Sequence, residues 1–201
     1  MKLVYDVGIN DADYVTQIKE TIGHTDGKRK QKVVWICPYY RTWASMLNRC
    51  YSDKKYPTYK GCTVCDEWLI FSKFKSWMDV QDWEGKQLDK DILFPDNKAY
   101  RPETCVFVDS SINTFIIESG VIRGEYPIGV YWAKRGEKFK AQISNPFTGK
   151  REYLGYFTDP QEAHQAWLKR KLELAKLLAE EQADPRVAKA LIERYENYIG
   201  S

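Results

Sequence analysis

Histidine is scarce in this 201-residue chain: there are two, His24 and His164. Neither stands beside the acidic motif described below, and both are expected on the surface rather than in catalysis. Long apolar runs are missing too. No stretch approaches the roughly 18 residues a membrane span needs, so no membrane partner is expected. The start, Met1-Lys2-Leu3-Val4-Tyr5-Asp6, lacks an apolar signal core, which points to a cytoplasmic rather than a secreted protein. The five cysteines are odd in number, which suits free thiols in a reducing compartment. Cys62 and Cys65 have the spacing of half a structural Zn²⁺ site. Cys37, Cys50 and Cys105 form no second close pair, so the expectation is small buried hydrophobes rather than zinc.

Hydrophobic residues make up 43% of the chain and aromatics 14%, enough for one large or two small cores. The net charge of +3 is unevenly spread. Residues 28–60 hold nine Lys or Arg against one acid, Asp53, and residues 126–156 hold six against Glu137 and Glu152. Two basic segments suggest two places where a polyanion touches, although ordinary solvated surface has the same look.

Organisation is read in four pieces. Residues 1–30 are a polar arm. Residues 31–120 hold two amphipathic helices, one beginning at Pro38 (Tyr39, Trp43, Met46, Leu47, Cys50) and one after Val64 (Trp68, Phe71, Phe74, Lys75, Met78). In the same piece a strand at Gln87–Ile92, a turn at 94–99, a strand at Cys105–Val108 and a helix capped by Asp109 or Ser110 follow one another. Residues 126–180 give three strands and a helix. Phe139, Ala141 and Ile143 alternate with Lys138, Lys140 and Gln142, so one face is apolar and the other polar. A hairpin turn falls at Asn145–Gly149, and a helix starts after Asp159-Pro160. Residues 184–199 form a last helix whose Val187, Leu191, Ile192 and Tyr195 share a side, for the preceding helix or for a dimer seam. The fold class expected is α+β.

Asp89-Lys90-Asp91, Thr104 fourteen residues after Lys90 and Asn113 twenty-four after Asp89 form a pattern that resembles the ββα-metal finger of HNH endonucleases. The resemblance implies Mg²⁺ or Mn²⁺ on Asp89 and Asn113, oxygen donors such as a hard cation prefers. It also puts Lys90 where the family carries its general-base histidine, and Thr104 in place of a bracing asparagine; Lys90, Asp89 and Thr104 are then the catalytic set. A protonated lysine cannot accept a proton. Lys90 is left as a base of depressed pKa, as a charge stabiliser, or as part of a site that only binds DNA.

The stretches Gly129-Val130-Tyr131-Trp132, Lys138 to Ile143, Tyr153 to Thr158 and Glu162 to Trp167 resemble the ethylene-response-factor (Apetala-type) DNA-binding domain, a three-stranded sheet on one helix. It implies contacts to double-stranded DNA from Tyr131, Gln142, Ser144, Arg151 and Tyr153, with Lys138 and Lys140 on the same face. In order, the two modules are similar to bacteriophage HNH homing-type endonucleases, which also carry stretches like Tyr40-Arg41-Thr42-Trp43 and Cys65-Asp66-Glu67-Trp68. The functional expectation is a DNA-binding phage protein acting as a metal-dependent endonuclease. The alternatives are a non-cutting DNA-binding regulator and a protein that docks a host protein through aromatic surface.

Overall fold

The computed structural model describes residues 3–26, 28–52, 55–116 and 125–199. The chain is mixed α+β and divides into two compact units, Met1–Val108 and Asp109–Ser201.

The first unit is built on aromatic helices. Helix α1 (Pro38–Tyr51) starts on a proline, whose missing N–H costs nothing at a first turn. It buries Tyr40, Trp43, Met46, Leu47 and Cys50, the side expected from the three- and four-residue spacing. The second helix is shorter than that spacing suggests. Trp68 lies in a 3-10 turn, Asp66–Leu69, and α2 runs only from Phe71 to Asp79. The break has a use: the Trp68 carbonyl accepts a 2.6 Å bond from the Trp43 indole, deep in the core. Phe71, Phe74 and Met78 close the core from α2.

Residues 3–36 depart from the expected polar arm. Val4, Val7 and Ala12 pack on the core, and Ile9 trades backbone bonds with Leu69 and Phe71 at 2.7 and 2.9 Å. Gly8 lies flat on α1: a Cβ there would stand 2.4 Å from Leu47 Cδ1 and 2.9 Å from Trp43. Beyond it, β1 (Gln17–Thr25) and β2 (Lys28–Ile36) make an antiparallel hairpin that runs through residue 30, where the sequence reading ends the arm. The pairing lies between segments of ordinary strand length, and hydrophobicity gives little sign of it because both faces are solvated.

Two further short strand pairings belong to this unit. Strand β3 (Thr63–Val64) runs parallel to β5 (Ala99–Tyr100), and β4 (Gln87–Asp89) runs antiparallel to β6 (Val106–Val108). The first finger strand therefore stops at Asp89 rather than at Ile92.

In the second unit, β7 (Val130–Ala133), β8 (Lys138–Ser144) and β9 (Arg151–Phe157) form an antiparallel sheet in sequential order. Helix α4 (Pro160–Glu180) covers one face. Asp159 caps it by accepting the Gln161 amide, and Ala141 and Ala163, both fully buried, let helix and sheet approach closely. Helix α5 (Pro185–Ile199) packs on α4 through Val187, Leu191 and Tyr195, which answers in favour of the preceding helix for the chain as it stands. Helix α3 (Ser110–Ile116) belongs to this unit and not to the finger with which the sequence groups it. Its Phe115 carbonyl accepts bonds from the Lys171 ammonium at 2.6 Å and the Tyr195 hydroxyl at 3.5 Å.

Gly129 enters β7 at φ +81°, and a Cβ there would lie 2.0 Å from Trp167 Cδ1. Both the left-handed backbone and the indole demand glycine. Gly129→Ala is expected to destabilise the second unit by about 3 kcal/mol or more, since strain and overpacking each cost roughly 1–3. Chemical denaturation of the variant checks this; a change under about 1 kcal/mol contradicts the packing described.

Among the described residues no helix is long and apolar enough to cross a membrane.

Candidate functional site

The Asp89–Thr104 segment is held by side chains that bond to its own backbone. Asp89 ends β4, and its Oδ1 accepts the Asp91 and Ile92 amides at 2.8 and 2.7 Å. The side chain is half-buried, and burial pushes the carboxyl above its ordinary range although those two amides pull it down. Asp89 therefore works as a turn cap, with Oδ2 making no hydrogen bond among the described residues.

Lys90 is 5% exposed. Its ammonium donates to Asp91 Oδ1 at 2.5 Å and to the Asn97 carbonyl at 2.7 Å. The rings of Tyr59 and Tyr100 lie 5.7 and 6.0 Å from Nζ. The ammonium thus anchors the loop, enclosed by a carboxylate, a carbonyl and two ring faces.

Thr104 Oγ1 donates to the Ala99 carbonyl at 2.9 Å. The stronger brace is Asn97, which the sequence reading left inside a turn. Its Nδ2 donates to the Lys90 and Ala99 carbonyls at 2.9 and 2.7 Å, and its Oδ1 accepts the Ala99 amide at 3.1 Å. The signal was an asparagine after Pro95-Asp96, with Asp96 at φ +61°, since Asn side chains readily bond backbone in such turns.

Asn113 is half-buried on α3 and lies in the second unit. Within the first unit, then, Asp89 is the one member of the expected ligand pair, and it offers a single remaining oxygen. Among the described residues no group of three or more His, Cys, Asp and Glu side chains is arranged to hold a metal. Burial pushes the Cys50 and Cys105 thiols up to about 12, away from the thiolate that zinc binds.

The Asp89 carboxylate gives a pH test. Its folded pKa is raised, so folding favours the protonated form and wild-type stability falls as pH rises upward from the ordinary 3.8. Asp89→Asn keeps an acceptor for both amides and does not titrate. Its stability relative to wild type is expected to grow as pH rises from the acid range to neutrality, measured by urea unfolding along a pH series. A relative loss at neutral pH would show that the charged form is the one the fold prefers.

The second group of expected residues comes together on the sheet face opposite α4. Cross-strand pairing places Tyr131, Lys140 and Tyr156 in one row, Gln142 and Tyr153 in the next, and Ser144 and Arg151 in the third. Tyr153 is 71% exposed, Tyr156 63% and Tyr131 51%, while Lys138, Ser144 and Arg151 are open to solvent. The Lys140 ammonium sits 5.1 Å over the Tyr153 ring, which aims both outward together.

Two residues differ from the alternation. Tyr156 was not expected here, being three places from Tyr153 and so due on the other face. A register shift opposite Ala141/Gln142, with Gly155 at φ +134°, returns it to the outer face. A glycine inside a strand is the sequence mark of such a bulge. Gln142, expected to reach outward, is only 8% exposed. It lines a cavity of about 520 Å³ with Tyr131, Ser144 and Arg151, walled in part by Thr114 and Phe115 of α3.

The hairpin end of the sheet is fixed to α4. Arg170 grips Glu152 with two bonds, at 2.7 and 3.2 Å, and Asn145 donates to Glu152 at 2.6 Å while its Oδ1 takes the Phe147 and Thr148 amides. The Arg170 and Asn145 bonds hold the Glu152 carboxyl below its usual range. His164, half-buried, bonds the Ile128 carbonyl at 2.9 Å and stacks on Trp167; His24 lies exposed on β1.

Comparison of the chain with protein-family models, with curated proteins and with solved structures finds no match.

Proposed function

We propose that this chain binds double-stranded DNA through the outer face of the β7–β8–β9 sheet, as its resemblance to phage proteins with an Apetala-type module implies, and that the HNH-like segment serves chiefly as a scaffold. The observation that carries the reading is the joint exposure of Tyr131, Tyr153 and Tyr156 among Lys138, Lys140 and Arg151 on a sheet whose other face packs on α4 through Ala141. Large aromatics left in solvent beside cations form a surface suited to sugar, base edge and phosphate, while Arg and Ser can reach base edges in a groove. Rigid attachment of the hairpin through Glu152 supports presentation of that face as a unit.

A second reading, metal-dependent phosphodiester hydrolysis, draws on the free Oδ2 of Asp89 and on the order β4, β6, α3, the strand–strand–helix succession of a ββα finger. Lys90 weighs against a general base at the expected place. Fluorescence anisotropy with a duplex across a salt series, run beside nicking of supercoiled phage DNA in Mg²⁺, Mn²⁺ and EDTA, tests both. Salt-sensitive binding with no cutting is the expected result. Metal-dependent nicking abolished by Asp89→Ala would establish the endonuclease, and salt-independent or absent duplex binding would remove the DNA reading.

A further inference from the structure

We infer that the β1–β2 hairpin is a second duplex-DNA contact, a basic ribbon that enters the major groove. It goes beyond the sheet-face reading because it lies in the other unit and uses none of the same residues.

The hairpin is rooted in the core and exposed along most of its length. Cys37 donates its amide to the Thr16 carbonyl at 2.9 Å, and Ile36 packs on the core; between these, Ile18–Thr21 and Lys28–Trp35 are exposed at every position. Thr25 pairs with Lys28, and Asp26, which follows Thr25, sits at φ +50°. A two-stranded ribbon uncovered on both faces is marginal by itself, so long a one points to a use for its surface.

Charge says what covers it. Lys28, Lys30 and Lys32 alternate along one face of β2, with Arg29 between them and Lys19 on β1, while Glu20 and Asp26 are the acids of the pair. Glu20 pairs with Lys32, so the excess cation gathers toward the tip. A major groove is about 12 Å wide and admits a two-stranded ribbon. Nine residues at roughly 3.3 Å each span about 30 Å, close to one turn of the duplex. The two register shifts, at Ile18/Lys19 and Thr21/Gly23, add twist of the kind that follows a groove.

The test is anisotropy of a labelled duplex over a KCl series with three full-length proteins: wild type, the ribbon variant Lys28→Gln/Lys30→Gln/Lys32→Gln, and a control Lys169→Gln/Lys176→Gln/Lys189→Gln with the same charge change on the exposed sides of α4 and α5. All six lysines except Lys176 and Lys189, which make exposed surface pairs, lack a salt bridge among the described residues, and thermal melts confirm folding. The ribbon variant is expected to lose about tenfold or more in low-salt affinity and roughly 2–3 in the slope of log K against log salt, near 0.9 per lost phosphate contact. The control keeps most of its slope. Equal losses in both variants, or none in the ribbon variant while wild type binds, overturn the ribbon and leave the sheet reading standing. A ribbon variant that instead splits a wild-type dimer, with slope unchanged, assigns the hairpin to a second copy of this chain and overturns the proposal. Absence of wild-type binding overturns both.

Discussion

Arg151→Ala is expected to weaken duplex binding by about 1–3 kcal/mol, roughly five- to 150-fold, without lowering the melting temperature appreciably. The side chain is exposed at the end of β9 and pairs across the sheet with Ser144, so its removal leaves the core intact; exposed substitutions of this kind stay within about 0.5 kcal/mol. Tyr153→Ala is expected to behave alike, with an added loss from Lys140, whose ammonium rests over the ring. Tyr153→Phe keeps that ring and should keep most of the affinity. Gln142→Ala makes the contrast: Gln142 is buried in the cavity wall, so its cost should show in stability before affinity. Anisotropy and thermal melts on the same four proteins separate these outcomes. Full affinity in both Arg151→Ala and Tyr153→Ala would move the contact off this face.

Lys90→Met is expected to destabilise the protein by roughly 1.5–3 kcal/mol, the scale of hydrogen bonds made by a charged group. In a chain of this size that is a drop of roughly 3–12 °C in melting temperature. Methionine fills much the same volume but strands the Asn97 carbonyl and removes the cation between Tyr59 and Tyr100. Asp91 is half-exposed and can rehydrate, which keeps the loss below that of a fully buried pair. Duplex binding by the folded fraction should be unchanged. Lys90→His, which restores the residue the HNH resemblance implies, is expected to destabilise as well and to create no nicking. A catalytic lysine would give the reverse pattern: normal melting, with any nicking of the wild type lost.

Spacing at three and four located α1, which buries one continuous apolar side, and Asp159-Pro160 marked the start of α4; the spacing overran at Trp68, where a buried indole–carbonyl bond favours a 3-10 turn over another turn of α-helix. Alternation located β8 and β9 but not the bulge at Gly155, so Tyr156 was missed and the outer face was read as less aromatic than it is. Motif spacing found Asp89, Lys90 and Thr104 as a local group, yet spacing along a chain carries no information on burial. What it presented as a catalytic lysine is enclosed by Asp91, Asn97 and two tyrosine rings. The β1–β2 ribbon was the least legible element, since a hairpin solvated on both faces leaves no apolar period to read.

A duplex is proposed to lie on the outer face of the three-stranded sheet. Photo-cross-linking of the full-length protein to a duplex carrying 5-iodouracil, followed by peptide mapping, tests it most directly. Cross-links at Tyr131, Tyr153 or Tyr156 that fade as salt rises are the result the account predicts. A saturated complex whose cross-links all fall outside Val130–Phe157 would contradict it.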